Sequence, residues 1–259
     1  MAVDLPDYES EKFNRSPLVL VAAQVNYEEV AREIEHRQAR NFQGAMGAEW
    51  KHLQSAPLIR ATMTPQGAVS EPNRQAYRLS TVDDTWSVLI NPESVTLESR
   101  AYGGWAELRQ RFERMVAAVA DVFDPATEAR LGLRYVNQVR LPDGRTGWDG
   151  LLADFLLGLL SDDRFSGCVL ASDQRVFIRL DDDTRCLLRH GLLPGEAAAG
   201  KSSSYLLDLD VFRENRDYDT GDAMAGIDRL HQRLGQVFRA SIKADLYMWL
   251  KGDDADVHD

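Results

Sequence analysis

The chain has 259 residues, 30 of them basic and 41 acidic, and a formal charge of −11. Apolar residues make up 44% and charged residues 27%, the proportions of a globular protein with ample material for a core. So negative a chain is disfavoured as a broad electrostatic binder of nucleic acid or anionic membranes, since both carry the same sign of charge. Two cysteines, Cys168 and Cys186, make neither a disulfide framework nor a zinc knuckle. Asp4, Asp7, Glu9 and Glu11 stand where a signal peptide would carry positive charge. The longest apolar stretch, Leu151 to Leu160, contains Asp154 and is far too short for a membrane span. A reducing cytoplasm is therefore expected.

Residues 1–16 are polar and are expected to be loose. Leu18 to Val25 is an apolar, partly β-branched run that predicts a buried strand. Tyr27 to Phe42 reads as a helix, with Glu28/Arg32 and Glu33/Arg37 as favourable i,i+4 pairs. Pro57 to Met63 reads as a short strand. Ala76 to Ser80, Trp86 to Asn91 and Ser94 to Ser99 read as three more, separated by Asp83-Asp84 and Asn91-Pro92. Trp105, Leu108, Phe112, Met115, Val119 and Val122 recur at steps of three and four, the stripe of an amphipathic helix that Asp124-Pro125 should end.

Leu131 to Leu141 alternates as a strand, with Leu131, Leu133, Tyr135, Asn137 and Val139 on one face. Pro142-Asp143-Gly144 is a turn, and Asp149 is the expected N-cap of a helix through Leu160. Val176 to Leu180, Arg185 to Arg189 and Tyr205 to Phe212 read as strands, and a single long helix is predicted from about Ala223 to Leu250.

The two halves resemble each other. Asp83-Asp84-Thr85 returns as Asp182-Asp183-Thr184, each between two strands with a third strand and a long helix downstream. The expected fold is α+β: two similar antiparallel strand-strand-strand-helix halves, 17–145 and 146–250, with their sheets side by side and the long helices on one face. The opposite face would then form a saddle. Residues 251–259 are an acidic tail.

Gly195-Glu196-Ala197-Ala198-Ala199-Gly200-Lys201-Ser202 matches the phosphate-loop pattern letter for letter. Phosphate binding there needs a helix N-terminus directly after the loop. Downstream, Tyr205-Leu206-Leu207-Asp208-Leu209-Asp210 alternates as a strand instead, so the segment is read as a connecting loop.

Five polar residues form the candidate cluster. Asp208 and Asp210 lie two apart and project from one strand face, a pattern that can hold magnesium or accept salt bridges from arginines, Arg134 being the natural partner. Asn137 falls on an apolar face, where its amide must find partners. His231 sits beside the apolar stripe of the closing helix. His36, His52, His190 and His258 show no metal-ligand spacing, and no nucleophile elbow is present. No catalytic residue, metal or cofactor is assigned.

Pro17-Leu18 before a strand, Leu133-Arg134-Tyr135-Val136-Asn137, Leu207-Asp208-Leu209-Asp210-Val211-Phe212, and Ile227-Asp228-Arg229-Leu230-His231 with Phe238 and Ser241-Ile242 occur in that order. In this the chain resembles a sporadically distributed bacterial family of cytoplasmic proteins of about this length, for which no activity is established. The resemblance spans nearly the whole chain and covers Arg134, Asn137, Asp208, Asp210 and His231 without assigning them roles. The chain departs from the family by having Val19-Leu20-Val21 where an acidic residue is usual. The family's patchy distribution implies a mobile defence or toxin–antitoxin setting.

The expectation is a non-enzymatic recognition protein that binds a partner protein from a neighbouring gene, the negative charge fitting a basic protein better than nucleic acid. The alternatives are a metal-dependent phosphodiesterase or nuclease using Asp208 and Asp210, and a nucleic-acid-binding saddle drawing on some of the 25 arginines.

Overall fold

A computed structural model of the chain describes residues 3–28, 33–58, 61–64, 67–70, 74–142, 144–194 and 204–252, with side chains placed outside 56–74. The phosphate-loop match at 195–202 lies outside the described residues, as does the expected tail at 251–259 except for its first two positions, where Lys251 ends a helix and Gly252 caps it. Strand β1 (Leu18–Tyr27) leads to helix α1 (His36–Met46), then β2 (His52–Leu58), β3 (Ala61–Thr64), β4 (Gly67–Ser70), β5 (Arg74–Ser80), β6 (Trp86–Asn91) and β7 (Ser94–Ser99). Helix α2 (Trp105–Phe123), β8 (Thr127–Arg140), α3 (Asp154–Leu157), β9 (Gln174–Arg179), β10 (Arg185–Leu192), β11 (Ser204–Asp217), α4 (Thr220–Ser241) and α5 (Ala244–Lys251) come after it. The fold is α+β: a nine-stranded antiparallel sheet in the order β2-β5-β6-β7-β1-β8-β11-β10-β9, a separate β3–β4 pair, and five α-helices among the described residues. No described helix is long and apolar enough to cross a membrane.

Two compact units divide the chain: Met1–Val21, Leu133–Phe212 and Asp228–Asp259 form the first, Ala22–Gly132 and Arg213–Ile227 the second. They do not coincide with the sequence halves, because β1, β8, β11 and α4 each run from one unit into the other.

In the second unit the periodic stripe of α2 is buried as expected at Leu108, Phe112, Met115 and Val119. Sinking a side chain such as Phe112 is worth roughly 1.5–3 kcal/mol. Helix α1 adds Ala39, Phe42 and Met46, and the Phe42 ring stacks on Phe123 at 5.7 Å. The helix reading for Tyr27 to Phe42 is corrected: β1 continues to Tyr27, alternating buried Val21, Ala23, Val25 and Tyr27, and the helix begins only at His36. A capping box sets that start, with Gln38 accepting the Glu35 N–H at 2.9 Å, so Glu28 and Glu33 precede the helix rather than pair along it.

In the first unit two helix expectations fail. The stretch from Asp149 to Leu160 makes only α3 and one 3₁₀ turn, Gly158–Ser161, because Leu152 bridges Ile242 as a short antiparallel pair. The same pairing breaks the long closing helix. Ala153 N–H donates to Ser241 O and Lys243 N–H to Leu151 O, so Ile242 and Lys243 leave the helix and α5 starts afresh at Ala244. Residues 3–16, expected to be loose, are tied down. Val3 N–H donates to Leu180 O, Glu11 accepts from Tyr247 and Lys251, and Tyr8 lies against Gly235, where any side chain would overlap its ring.

The repeated tripeptides occupy the β5–β6 and β9–β10 turns but do different jobs. In the first, Asp83 accepts from the Thr85 N–H; in the second, Asp181 outside the repeat accepts from Asp183 and Thr184 N–H.

Candidate functional site

The β10–β11 register sets Arg189 opposite Asp208, Leu187 opposite Asp210 and Arg185 opposite Phe212. The β9–β10 register then sets Arg175, Phe177 and Arg179 opposite Arg189, Leu187 and Arg185. Residues opposite one another share a face and alternate residues repeat it, so these side chains stand on one face of the first unit's sheet.

On that face Arg134 forks onto Asp208, Nε to Oδ1 at 2.7 Å and Nη2 to Oδ2 at 2.6 Å. The carboxylate is buried while 44% of the arginine side chain stays exposed. The hydrogen bonds it donates to Asp208 hold the Arg134 guanidinium above its ordinary pKa, with the charge of Asp210 adding to the effect. A second fork, Arg189 onto Asp173 at 3.0 and 3.1 Å, lies at the surface and holds the Asp173 carboxyl below the usual range. Cys186 points away from this face, since its register partner is Val211, and burial pushes its thiol up to about 12, leaving it neutral.

The other two candidate residues lie on the opposite face, because Tyr135 and Asn137 alternate with Arg134 along β8. Asn137 donates to Leu207 O at 3.2 Å and is buried. The His231 ring nitrogens meet Tyr135 Oη and Ser10 Oγ, each at 3.2 Å, and Tyr8 packs edge-on against the ring. Burial lowers the His231 pKa from 6.5 to about 4, so the ring is neutral at physiological pH and one nitrogen donates while the other accepts. Arg134, Asp208 and Asp210 are thus brought together; Asn137 and His231 lie apart from them, each among its own buried partners.

Both Asp208 oxygens accept from Arg134, and among the described residues no three His, Cys, Asp or Glu side chains are grouped to hold a metal ion. Ser204, two positions beyond the end of the phosphate-loop match, is the first residue of strand β11, so the chain runs on from that match into a strand.

Two polar groupings escape the sequence reading. In the second unit Arg213 forks onto Glu128 at 2.8 and 3.1 Å and also donates to Asp222 at 2.7 Å. In the first, Tyr205 donates to Leu156 O at 2.8 Å and meets His190 Nδ1 at 2.7 Å. The Arg213 grouping had a signal, an acid and an arginine each inside a strand otherwise rich in apolar residues. The Tyr205 grouping had none beyond burial. Also missed is the Arg-x-Phe-x-Arg spacing of Arg175, Phe177 and Arg179, which is legible as strand alternation.

No protein-family model matches this chain, and no curated protein matches it either.

Proposed function

We propose that this chain is a non-enzymatic recognition protein that binds a partner protein, in the setting of a bacterial defence or toxin–antitoxin-like locus in the cytoplasm. One observation carries the reading. The acid that a phosphodiesterase would need, Asp208, spends both oxygens on Arg134, whereas Arg175, Phe177 and Arg179 stand exposed on the same sheet face. A catalytic centre keeps its acids available to substrate or metal; a recognition face displays exposed side chains, as here, where Phe177 rests on the Phe212 ring at 5.8 Å yet stays open to solvent. The family resemblance supports the setting.

We also infer an internal duplication. β5, β6 and β7 precede α2 as β9, β10 and β11 precede α4, and in the sheet β7 neighbours β1 as β11 neighbours β8. Under this reading β1 and β8 each open one copy.

The test is purification of the tagged full-length chain from its host at moderate salt, with mass spectrometry, alongside a hydrolysis assay on nucleic acid with magnesium or manganese. A stoichiometric protein partner and no turnover is the expected result. Metal-dependent turnover that Asp208→Asn removes without unfolding the chain would overturn it.

A second reading has an observation in its favour. The same face gathers arginines around an exposed phenylalanine, which suits stacking and phosphate contacts with single-stranded nucleic acid despite the net charge. Binding of an oligonucleotide with a steep fall in salt would be its signature.

A further inference from the structure

We propose that β9 is a docking edge for an extended acidic segment of the partner, which adds to the sheet as a tenth strand; the proposal rests on the recognition reading. β9 ends the sheet order, and among the described strands it pairs only with β10. The hydrogen-bonded register is set at both ends of the hairpin, where Ser172 N–H donates to Leu192 O and Leu180 N–H donates to Thr184 O. Antiparallel pairs alternate between bonded and non-bonded, so the even residues of β9 face β10. The backbone N–H and C=O groups of Arg175, Phe177 and Arg179 therefore point to the outer edge. Among the described residues nothing accepts from or donates to them; the amino-terminal segment reaches only Leu180 O, just past the strand.

An open edge is a template for another strand, and proteins normally blunt it. Here it displays an apolar centre between two cations: Phe177 is 63% exposed, and Arg175 and Arg179 flank it on the same face. The complementary strand carries acid, apolar residue and acid at i, i+2 and i+4, because directly opposed unlike charges stabilise an antiparallel pair. A second copy of this chain does not satisfy that pattern. Antiparallel self-pairing centred on Phe177 sets Arg175 opposite Arg179 twice, and like charges directly opposed destabilise the pair. The local charge of this edge is thus opposite in sign to that of the whole chain. Net charge governs long-range steering, while the opposed side chains select the strand.

The probe is the capped peptide Thr-Glu-Thr-Val-Thr-Glu-Thr, titrated into the full-length isotope-labelled chain and followed by amide NMR. The controls are its Lys-for-Glu counterpart and a short oligothymidine. The acidic peptide is expected to shift and protect the amides of Arg175, Phe177 and Arg179, and to bind about tenfold tighter than the lysine peptide, as two cross-strand pairs change sign. The double variant Arg175→Glu/Arg179→Glu should invert that preference. Phe177→Pro removes an outward N–H without touching the β10 ladder and should abolish protection, while Phe177→Leu should keep it. Equal binding of both peptides, shifts that avoid β9, or a preference for oligothymidine would overturn the proposal. Should a partner co-purify equally well with the Arg175→Glu/Arg179→Glu variant, the docking edge fails and the recognition reading stands.

Discussion

Two guanidinium–carboxylate forks tie β8 to β11, one in each unit, and they differ in what surrounds them. In the second unit Arg213 from β11 grips Glu128 from β8, and both are buried, with 6% and 1% of their side chains exposed. In the first unit the roles reverse: Arg134 from β8 grips Asp208 from β11, and the arginine keeps nearly half its surface in solvent. The donor geometry is nearly the same; the dielectric surroundings are not. Around Arg213 every approach is filled, with Asp222 taking a further donor bond and Gly226 so close that any side chain there would overlap the guanidinium. Burial raises the Glu128 pKa, with Arg213 opposing the shift, so the pair is held against its own desolvation. The Arg213 fork is a structural tie. The Arg134 fork has a free outer edge and belongs to the face proposed to meet a partner.

The largest expected effect is at Arg213. Replacing it with methionine leaves the buried Glu128 charge unpaired and should remove about 3–5 kcal/mol of stability, read by urea unfolding. The double variant Arg213→Met/Glu128→Leu should recover most of that, because two well-packed apolar groups desolvate at no electrostatic penalty. If the single variant loses under about 1 kcal/mol, the value of an exposed pair, the tie is not a desolvated one.

The next effect is a pH dependence from the buried network of the first unit. His231 has a folded pKa of about 4 against 6.5 unperturbed, lowered by burial and only partly opposed by Asp228. A depressed folded pKa means stability present above 6.5 and lost as pH falls towards 4. The loss should reach roughly 3 kcal/mol at the lower end of that window. Unfolding curves measured at both ends should show it in the native chain and not in His231→Phe. A native profile that is flat across the window would show that the ring charges without penalty.

Helix α4 offers a smaller effect. Gly235→Ala adds helix propensity worth about 1 kcal/mol but drives a methyl into the Tyr8 ring, so a net loss of about 1–3 kcal/mol is expected. Proteolysis within residues 3–16 should become easier. Tyr8→Ala in the same chain should turn the loss back into a gain, and a failure to do so would mean the contact is not what holds the segment.

How much of the molecule was legible in its sequence depends on how local each cause is. The stripe of α2 and the turns bounding β6 are decided by residues within a few positions of one another, and both were readable. The break between α4 and α5 was not, because no glycine or proline marks it. It arises from Ile242 pairing with Leu152, about ninety residues away in the chain. The Asp83 and Asp182 repeats looked alike as letters, yet the second turn is closed by Asp181, since side-chain turns depend on the conformation the hairpin imposes. At the site, Arg134 was a readable partner for Asp208, as a carboxylate in a half-buried strand needs a fork of donors. The open edge of β9 was hidden, because edge status depends on strand order across the whole sheet and on nothing in Gln174–Arg179 itself.

The smallest expected effect is at Arg134. Arg134→Ala removes a fork of the same geometry as the one Arg213→Met removes, yet it vacates a volume that already opens to solvent. Water can enter and hydrate Asp208, so the desolvation that makes the Arg213 change expensive is largely relieved. The expected loss is about 1 kcal/mol, and the coupling in a cycle with Asp208→Asn should be of the same size. Arg134→Lys should recover only part of it, because an ammonium cannot match both oxygens at once. Partner binding should respond differently from stability: Arg134→Ala should weaken co-purification while the chain stays folded, whereas Arg213→Met/Glu128→Leu should leave co-purification intact. Equal stability losses at Arg134 and Arg213 would mean that both forks are structural ties, and the exposed face would then have to recognise its partner through β9 alone.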